Sequence, residues 1–406
     1  MSPAEITPRQ RFAIGAIFVS HGMEFGTWAG SVPRLRELWA LEDGPLGLVL
    51  LAVALGALAA MPVGGRLAAR FGAARVAIVG GGLFALLLPA PALTHAFGLP
   101  PFTGWVVLLA SAGLVGLAAG TMDIGMNAEA SAVERRGNRV IMSGLHAFWS
   151  VGGLVGSGIA AGGAALNISL AATLAVAGAV VAVLVGGATI VLWRSSHPET
   201  KAERAATRGG VSVGALAALC VMAALCFSLE GALADWSGLF MRDVHGVSAA
   251  VASATFSGVA FAMVVARFAG DVTRRRIGAV GLVRIGSLVA AVTMAAILLV
   301  PSMPLALFGF AVVGFGLANV IPVLISAAGG RGGAAGIALV AGVGYAGLLA
   351  GPPIIGFTAQ TFTLTAALWL VVLGSVALAL LAGAVRAPVT ASSTRASDRV
   401  RSGART

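Results

Sequence analysis

The chain alternates between apolar runs and short connectors that hold almost all of its charge. A helix of about 20 apolar residues crosses the roughly 30 Å hydrocarbon core of a bilayer. Twelve runs reach that length, at 11–32, 46–65, 76–95, 104–131, 140–165, 169–193, 212–240, 248–268, 278–300, 304–328, 334–358 and 362–385. The breaks at 166–168 and 329–333 are short, and adjacent helices are predicted to form antiparallel hairpins.

Lysine and arginine are retained on the cytoplasmic side of a membrane. Arg9, Arg66, Arg70, Arg75, Arg135, Arg136, Arg139, Arg194, Lys201, Arg204, Arg208, Arg274, Arg275, Arg276, Arg331 and the arginines of the tail lie in even-numbered connectors or at the termini. The odd connectors hold Arg34, Arg36 and Arg242. The asymmetry puts both termini in the cytoplasm, as an even span count requires, and predicts a multi-pass plasma-membrane protein. The first run contains Glu24 and lacks a small-residue cleavage site, so it reads as a retained helix and not a signal peptide.

Composition agrees. Hydrophobic residues make up 58% and charged residues 10% of the chain, against roughly 25% charged in a soluble domain. The 57 glycines imply close helix packing. The net charge of +11 lies in connectors, so no nucleic-acid partner is implied. Cys220 and Cys226 have neither metal nor disulfide spacing and read as small packing residues. The longest internal polar stretch, 194–211, divides residues 1–193 from 212–386 as two six-helix halves, and 387–406 reads as a disordered cytoplasmic tail. Trp28-Ala-Gly30 recurs as Trp236-Ser-Gly238 and Arg66-Leu-Ala68 as Arg267-Phe-Ala269, offsets of about 200 residues that fit the internal repeats of transporter folds. Both halves look complete, so a monomer suffices.

Several chemistries are excluded. The one lysine, Lys201, follows Thr200, which is no phosphate-cradling Gly-Lys-Ser/Thr loop. No His-Glu-x-x-His occurs and the five histidines are scattered. No enzyme, metal or cofactor is expected, and nothing reads as a channel filter loop.

Ionisable residues within apolar runs are functional candidates. His21, Glu24 and Trp28 fall in span 1, Asp123 and Asn127 in span 4, His146 in span 5, Glu230 and Asp235 in span 7, Asn319 in span 10 and Tyr345 in span 11. Glu24 lies roughly 20 Å from the inner end of its helix at about 1.5 Å per residue. His21, Glu24 and Trp28 share one helical face, expected to line a cavity with Glu230, Asn319 and Tyr345. Glu24, Asp123 and Glu230 are proton-coupling candidates, since a carboxylate alternately buried and exposed binds and releases a proton. Asp235 and Trp236 fall near the periplasmic rim as a gate; Asn127 and His146 fall toward the cytoplasmic gate. The acids and amides read equally as interhelical contacts, and His21 as a packed histidine.

Between spans 2 and 3 lies Gly65-Arg-Leu-Ala-Ala-Arg-Phe-Gly-Ala-Ala-Arg75, which resembles the signature loop of the major facilitator superfamily. Ala69 stands where that loop carries an aspartate, and in the second half Asp271 follows Arg267 and takes its place. The resemblance implies that Gly65, Arg66, Arg70, Gly72, Arg75, Arg267 and Asp271 belong to the cytoplasmic gate. The block from Asp123 to Gly153, with Leu229-Glu-Gly-Ala-Leu-Ala-Asp-Trp236, is similar to the permease subfamily that includes the rhizopine-catabolism membrane protein. That likeness implies an all-α fold of twelve transmembrane helices in two pseudo-symmetric halves, with spans 3, 6, 9 and 12 facing lipid. It implies a secondary transporter moving a small polar solute, polyol- or sugar-like, with protons. A proton-antiporting exporter of drugs or metabolites is the alternative. A non-transporting sensor or a channel is the second.

Overall fold

The computed structural model describes residues 7–386 apart from 42, 138, 195, 197 and 199–212. Most of the expected linker 194–211, including His197, Lys201, Arg204 and Arg208, and the whole expected tail 387–406 lie outside the described residues. The described residues contain helices and no strand.

The long helices are α1 (Pro8–Leu38), α2 (Asp43–Phe71), α3 (Ala73–Leu87), α4 (Pro101–Gly137), α5 (Met142–Ala165), α6 (Leu170–Leu192), α7 (Val213–His245), α8 (Ala249–Leu299), α9 (Met303–Leu317), α10 (Val320–Thr361) and α11 (Leu364–Leu381). Local chemistry sets their starts, because the first N–H groups of a helix need acceptors. Thr7 accepts from Gln10 N while the Gln10 side chain accepts from Thr7 N, and Pro8 occupies the first turn. Ser169, Ser248, Ser302 and Thr363 cap α6, α8, α9 and α11, each side chain accepting from the N–H three residues on.

Among the described residues nine stretches are long and apolar enough to cross a membrane. Two of them hold more than one predicted span. Gly278 (φ +75°) breaks α8 and Gly333 (φ +54°) breaks α10, a backbone region that favours glycine. The more polar α1, 31 residues long, completes the predicted twelve. Gly72 (φ +98°) divides α2 from α3 as Gly278 divides the two parts of α8, so the same device recurs about 200 residues apart.

Glycine sets the packing of matched helix pairs. A Cβ on Gly22, Gly26, Gly152 or Gly156 would lie 1.9–2.1 Å from a carbonyl oxygen of the facing helix, so α1 and α5 meet backbone to backbone. In the second half α7 meets α10 likewise, where a Cβ on Gly347 would lie 2.3 Å from the Ala224 oxygen. The predicted outer spans carry exposed apolar side chains: Leu86 on α3, Ile190 on α6, Val292 in the second part of α8 and Leu380 on α11.

Candidate functional site

Between the halves lies a central void of about 80 Å³, lined from the first half by His21, Asp123, Met126, Asn127, His146 and Trp149, and from the second by Phe227, Glu230, Arg267, Ile321, Ile325, Ala341 and Tyr345. The polar groups are held by specific bonds. Trp149 Nε1 donates to His21 Nδ1 at 2.7 Å, tying α5 to α1 at the void wall. Asn127 Nδ2 donates to the Asp123 carbonyl at 2.9 Å and to its carboxylate at 3.1 Å. Phe227 stacks on Tyr345 with centroids 5.5 Å apart.

Arg267 organises the second wall, and the sequence explains its position. Pro322 lacks an N–H, so the carbonyl four residues earlier, Ala318, loses its helical donor. Arg267 Nε supplies that bond at 3.1 Å. Its Nη1 donates to Ser150 Oγ at 2.6 Å across the gap to α5, and its Nη2 lies 3.7 Å from Glu230 Oε1. The guanidinium also sits 6.0 Å from the centre of the Trp149 ring. A buried cation is thus bonded to both halves and paired to one carboxylate.

The structure rearranges the predicted site. Arg267, expected in a signature-like loop, is 5% exposed on the void wall, because its helix runs on to Gly278, roughly 16 Å further at 1.5 Å per residue. Asn127 and His146, expected at the cytoplasmic gate, line the void; His146 Nδ1 lies 3.1 Å from the Met142 carbonyl. Of the stripe His21, Glu24 and Trp28, only His21 reaches the void. Trp28 packs inside the first half with Phe84, Leu88, Leu108 and Leu174, and Glu24 is fully buried with neither carboxylate oxygen bonded among the described residues. The stripe turns inward because the glycine contact rotates α1 against α5. Asn319, expected in the cavity, instead ties helices of the second half together, its Nδ2 donating to the Ala266 carbonyl at 2.9 Å. Asp235 is exposed at the far end of α7, and Trp236 packs near Gly356.

At the end that carries the arginine-rich connectors, here the basic end, the halves are bonded together. Asp271 accepts from Ser143 N at 3.0 Å and Gly144 N at 2.9 Å, placing a carboxylate of α8 on the N-terminus of α5, where its charge is favoured. Glu134 pairs with Arg274 at 3.1 Å and accepts from Ser326 Oγ, and Arg135 Nη1 donates to the Gly329 carbonyl at 2.9 Å. Gly65 fits under Ala338, where a Cβ would lie 2.9 Å away. Arg66 is exposed, Arg70 lies over Phe71, and Arg75 holds the end of α6 by donating to Trp193 O at 3.2 Å. Sequence reasoning missed Glu134, Arg274, Arg135 and Trp149 as site residues. An acid among arginines, Glu134, was the available signal.

The profile of the Major Facilitator Superfamily matches residues 13–342. The chain belongs to this superfamily. It is 34% identical over 376 residues to an uncharacterised MFS-type transporter of Yersinia pestis, covering 92% of this chain and 93% of that one. It is 30% identical over 384 residues to the membrane protein MosC of Rhizobium meliloti, covering 92% and 90%. Among solved structures it resembles FucP in the outward conformation, at 15% identity and TM-score 0.73, covering 94% of this chain and 99% of that one. The fold is therefore the superfamily's: twelve membrane helices in two halves, a transporter and not an enzyme.

Proposed function

We propose that this protein moves a small polar solute, polyol- or sugar-like, across the plasma membrane by alternating access, coupled to protons, as a monomer with both termini in the cytoplasm. The observation that carries the reading is the central void. Polar groups from both halves converge there around one buried Arg–Glu pair, beside aromatic faces suited to the apolar face of a sugar ring. FucP, a fucose:proton symporter of Escherichia coli, shares the fold and supports the solute class. The basic end is read as cytoplasmic. Its inter-half bonds then make this the state closed to the cytoplasm, in keeping with the outward conformation of the FucP match. Residues 1–193 and 212–386 are the two moving halves, joined through 194–211.

On this reading Asp123 and Glu230, which line the void, carry the coupling, and Glu24, enclosed within the first half, does not. Solute bound near Arg267 competes for the guanidinium with Glu230, which frees the carboxylate to take up a proton. The test is transport by proteoliposomes. Asp123→Asn and Glu230→Gln are each expected to abolish accumulation driven by a pH gradient while solute exchange persists. Accumulation equal to the parent, and equally collapsed by a protonophore, in both variants would sink the coupling proposal. A thermal-shift screen fixes the solute class, because a ligand preferring the folded state raises the melting point. Stabilisation by cationic drugs and not by polyols or sugars would favour the exporter.

A further inference from the structure

A second cavity, about 630 Å³, opens on the outer flank of the basic end, along the seam where α1, α5 and α6 meet the Asp271 turn of α8. Phe12 and Phe148, 80% and 44% exposed, form its wall with Leu184. Phe148 lies six residues into α5, roughly 9 Å from the helix start at 1.5 Å per residue. The wall thus reaches into the hydrocarbon layer. Arg11 and Arg139 line the same cavity. Both are exposed, and among the described residues neither guanidinium has an acceptor. Asp271, the acid in the cavity, is already engaged by the Ser143 and Gly144 N–H groups.

We propose that this groove binds an anionic phospholipid from the leaflet at the basic end. Its phosphodiester is held by Arg11 and Arg139, and one acyl chain lies along Phe12, Phe148 and Leu184. Two unpaired cations at the mouth of an apolar slot match a phosphate attached to a hydrocarbon chain. The chain's own tail is a poor occupant: residues 387–406 carry Arg395, Arg399, Arg401 and Arg405 against Asp398, and like charges would meet. Asp271 comes from the second half and the other lining residues from the first, so the groove exists in this form only while the basic end is closed. Bound lipid therefore favours that state. The proposal needs the membrane assignment but not the identity of the solute.

The experiment uses the full-length protein in nanodiscs of phosphatidylcholine with rising phosphatidylglycerol, lipid retention being read by native mass spectrometry. The parent is expected to retain phosphatidylglycerol over phosphatidylcholine. The Arg11→Gln/Arg139→Gln pair should retain it roughly thirtyfold more weakly, at about fivefold per arginine. Arg9→Gln, two residues before Arg11 and outside the groove, should behave as the parent. Each single variant carries the fivefold test if the pair does not fold. Unchanged retention in the arginine variants, or equal retention of phosphatidylcholine, would overturn the proposal. Displacement of the lipid by millimolar inorganic phosphate would overturn it too, marking a site for a free anion.

Discussion

Arg267 holds three groups at once: the Ala318 carbonyl freed by Pro322, the Ser150 hydroxyl and the Glu230 carboxylate. Removing it leaves a carboxylate uncompensated in the membrane interior, an effect of about 3–5 kcal/mol for a buried pair. Arg267→Met is expected to lower the thermal unfolding midpoint in detergent, and Arg267→Met with Glu230→Gln should recover part of the loss. No recovery in the double variant would mean that the pair is not what the arginine stabilises. This residue also shows where reading the sequence stops. The recurrence of Arg66-Leu-Ala68 as Arg267-Phe-Ala269 made it visible, but its assignment to a loop followed from ending the span at 268, since an apolar run stops near the first charges while a helix does not. Trp28 fails differently. Helical spacing puts it on one face with Glu24, but only the α1–α5 packing decides that the face turns inward.

At the scale of elements, apolar runs located every span because membrane crossing demands length and hydrophobicity before anything else. What they did not show was where each helix ends: the first part of α8 carries on past the apolar run that closes at 268 until Gly278 breaks it, and α9 and α10 divide beside Pro322 and not at a polar gap. Close glycine contacts fix α1 on α5. Gly156→Ala puts a methyl about 2.0 Å from the Met23 oxygen, whereas Gly158→Ala meets nothing within 4 Å. Overpacking of this kind costs roughly 1–3 kcal/mol or more. The first variant is expected to lose thermal stability and folded yield on size-exclusion chromatography, the second to match the parent; equal behaviour of the two would refute the contact.

For the whole molecule, the bonds at the basic end set the balance between states. Glu134→Gln weakens the links to Arg274 and Ser326, each charged hydrogen bond being worth about 1.5–3 kcal/mol. The expected result is a shift of roughly tenfold or more toward the state open at this end. Spin labels at positions 70 and 276, both exposed there, should show a longer distance population in the variant; an unchanged distribution would assign the closure to other contacts. The sequence marked this end through its arginines, but not which acid meets which, because those partners lie more than a hundred residues apart and are joined only by the fold.

Pro322 bears on how the protein is made. A helix entering hydrocarbon with an orphan carbonyl carries a penalty of several kcal/mol until a donor arrives. The donor for Ala318 is a side chain of α8, synthesised some fifty residues earlier. Biogenesis in chain order thus places Arg267 in the bilayer before the segment that needs it, so a circular permutation starting the chain between α8 and α9 would reverse that order and strand the carbonyl.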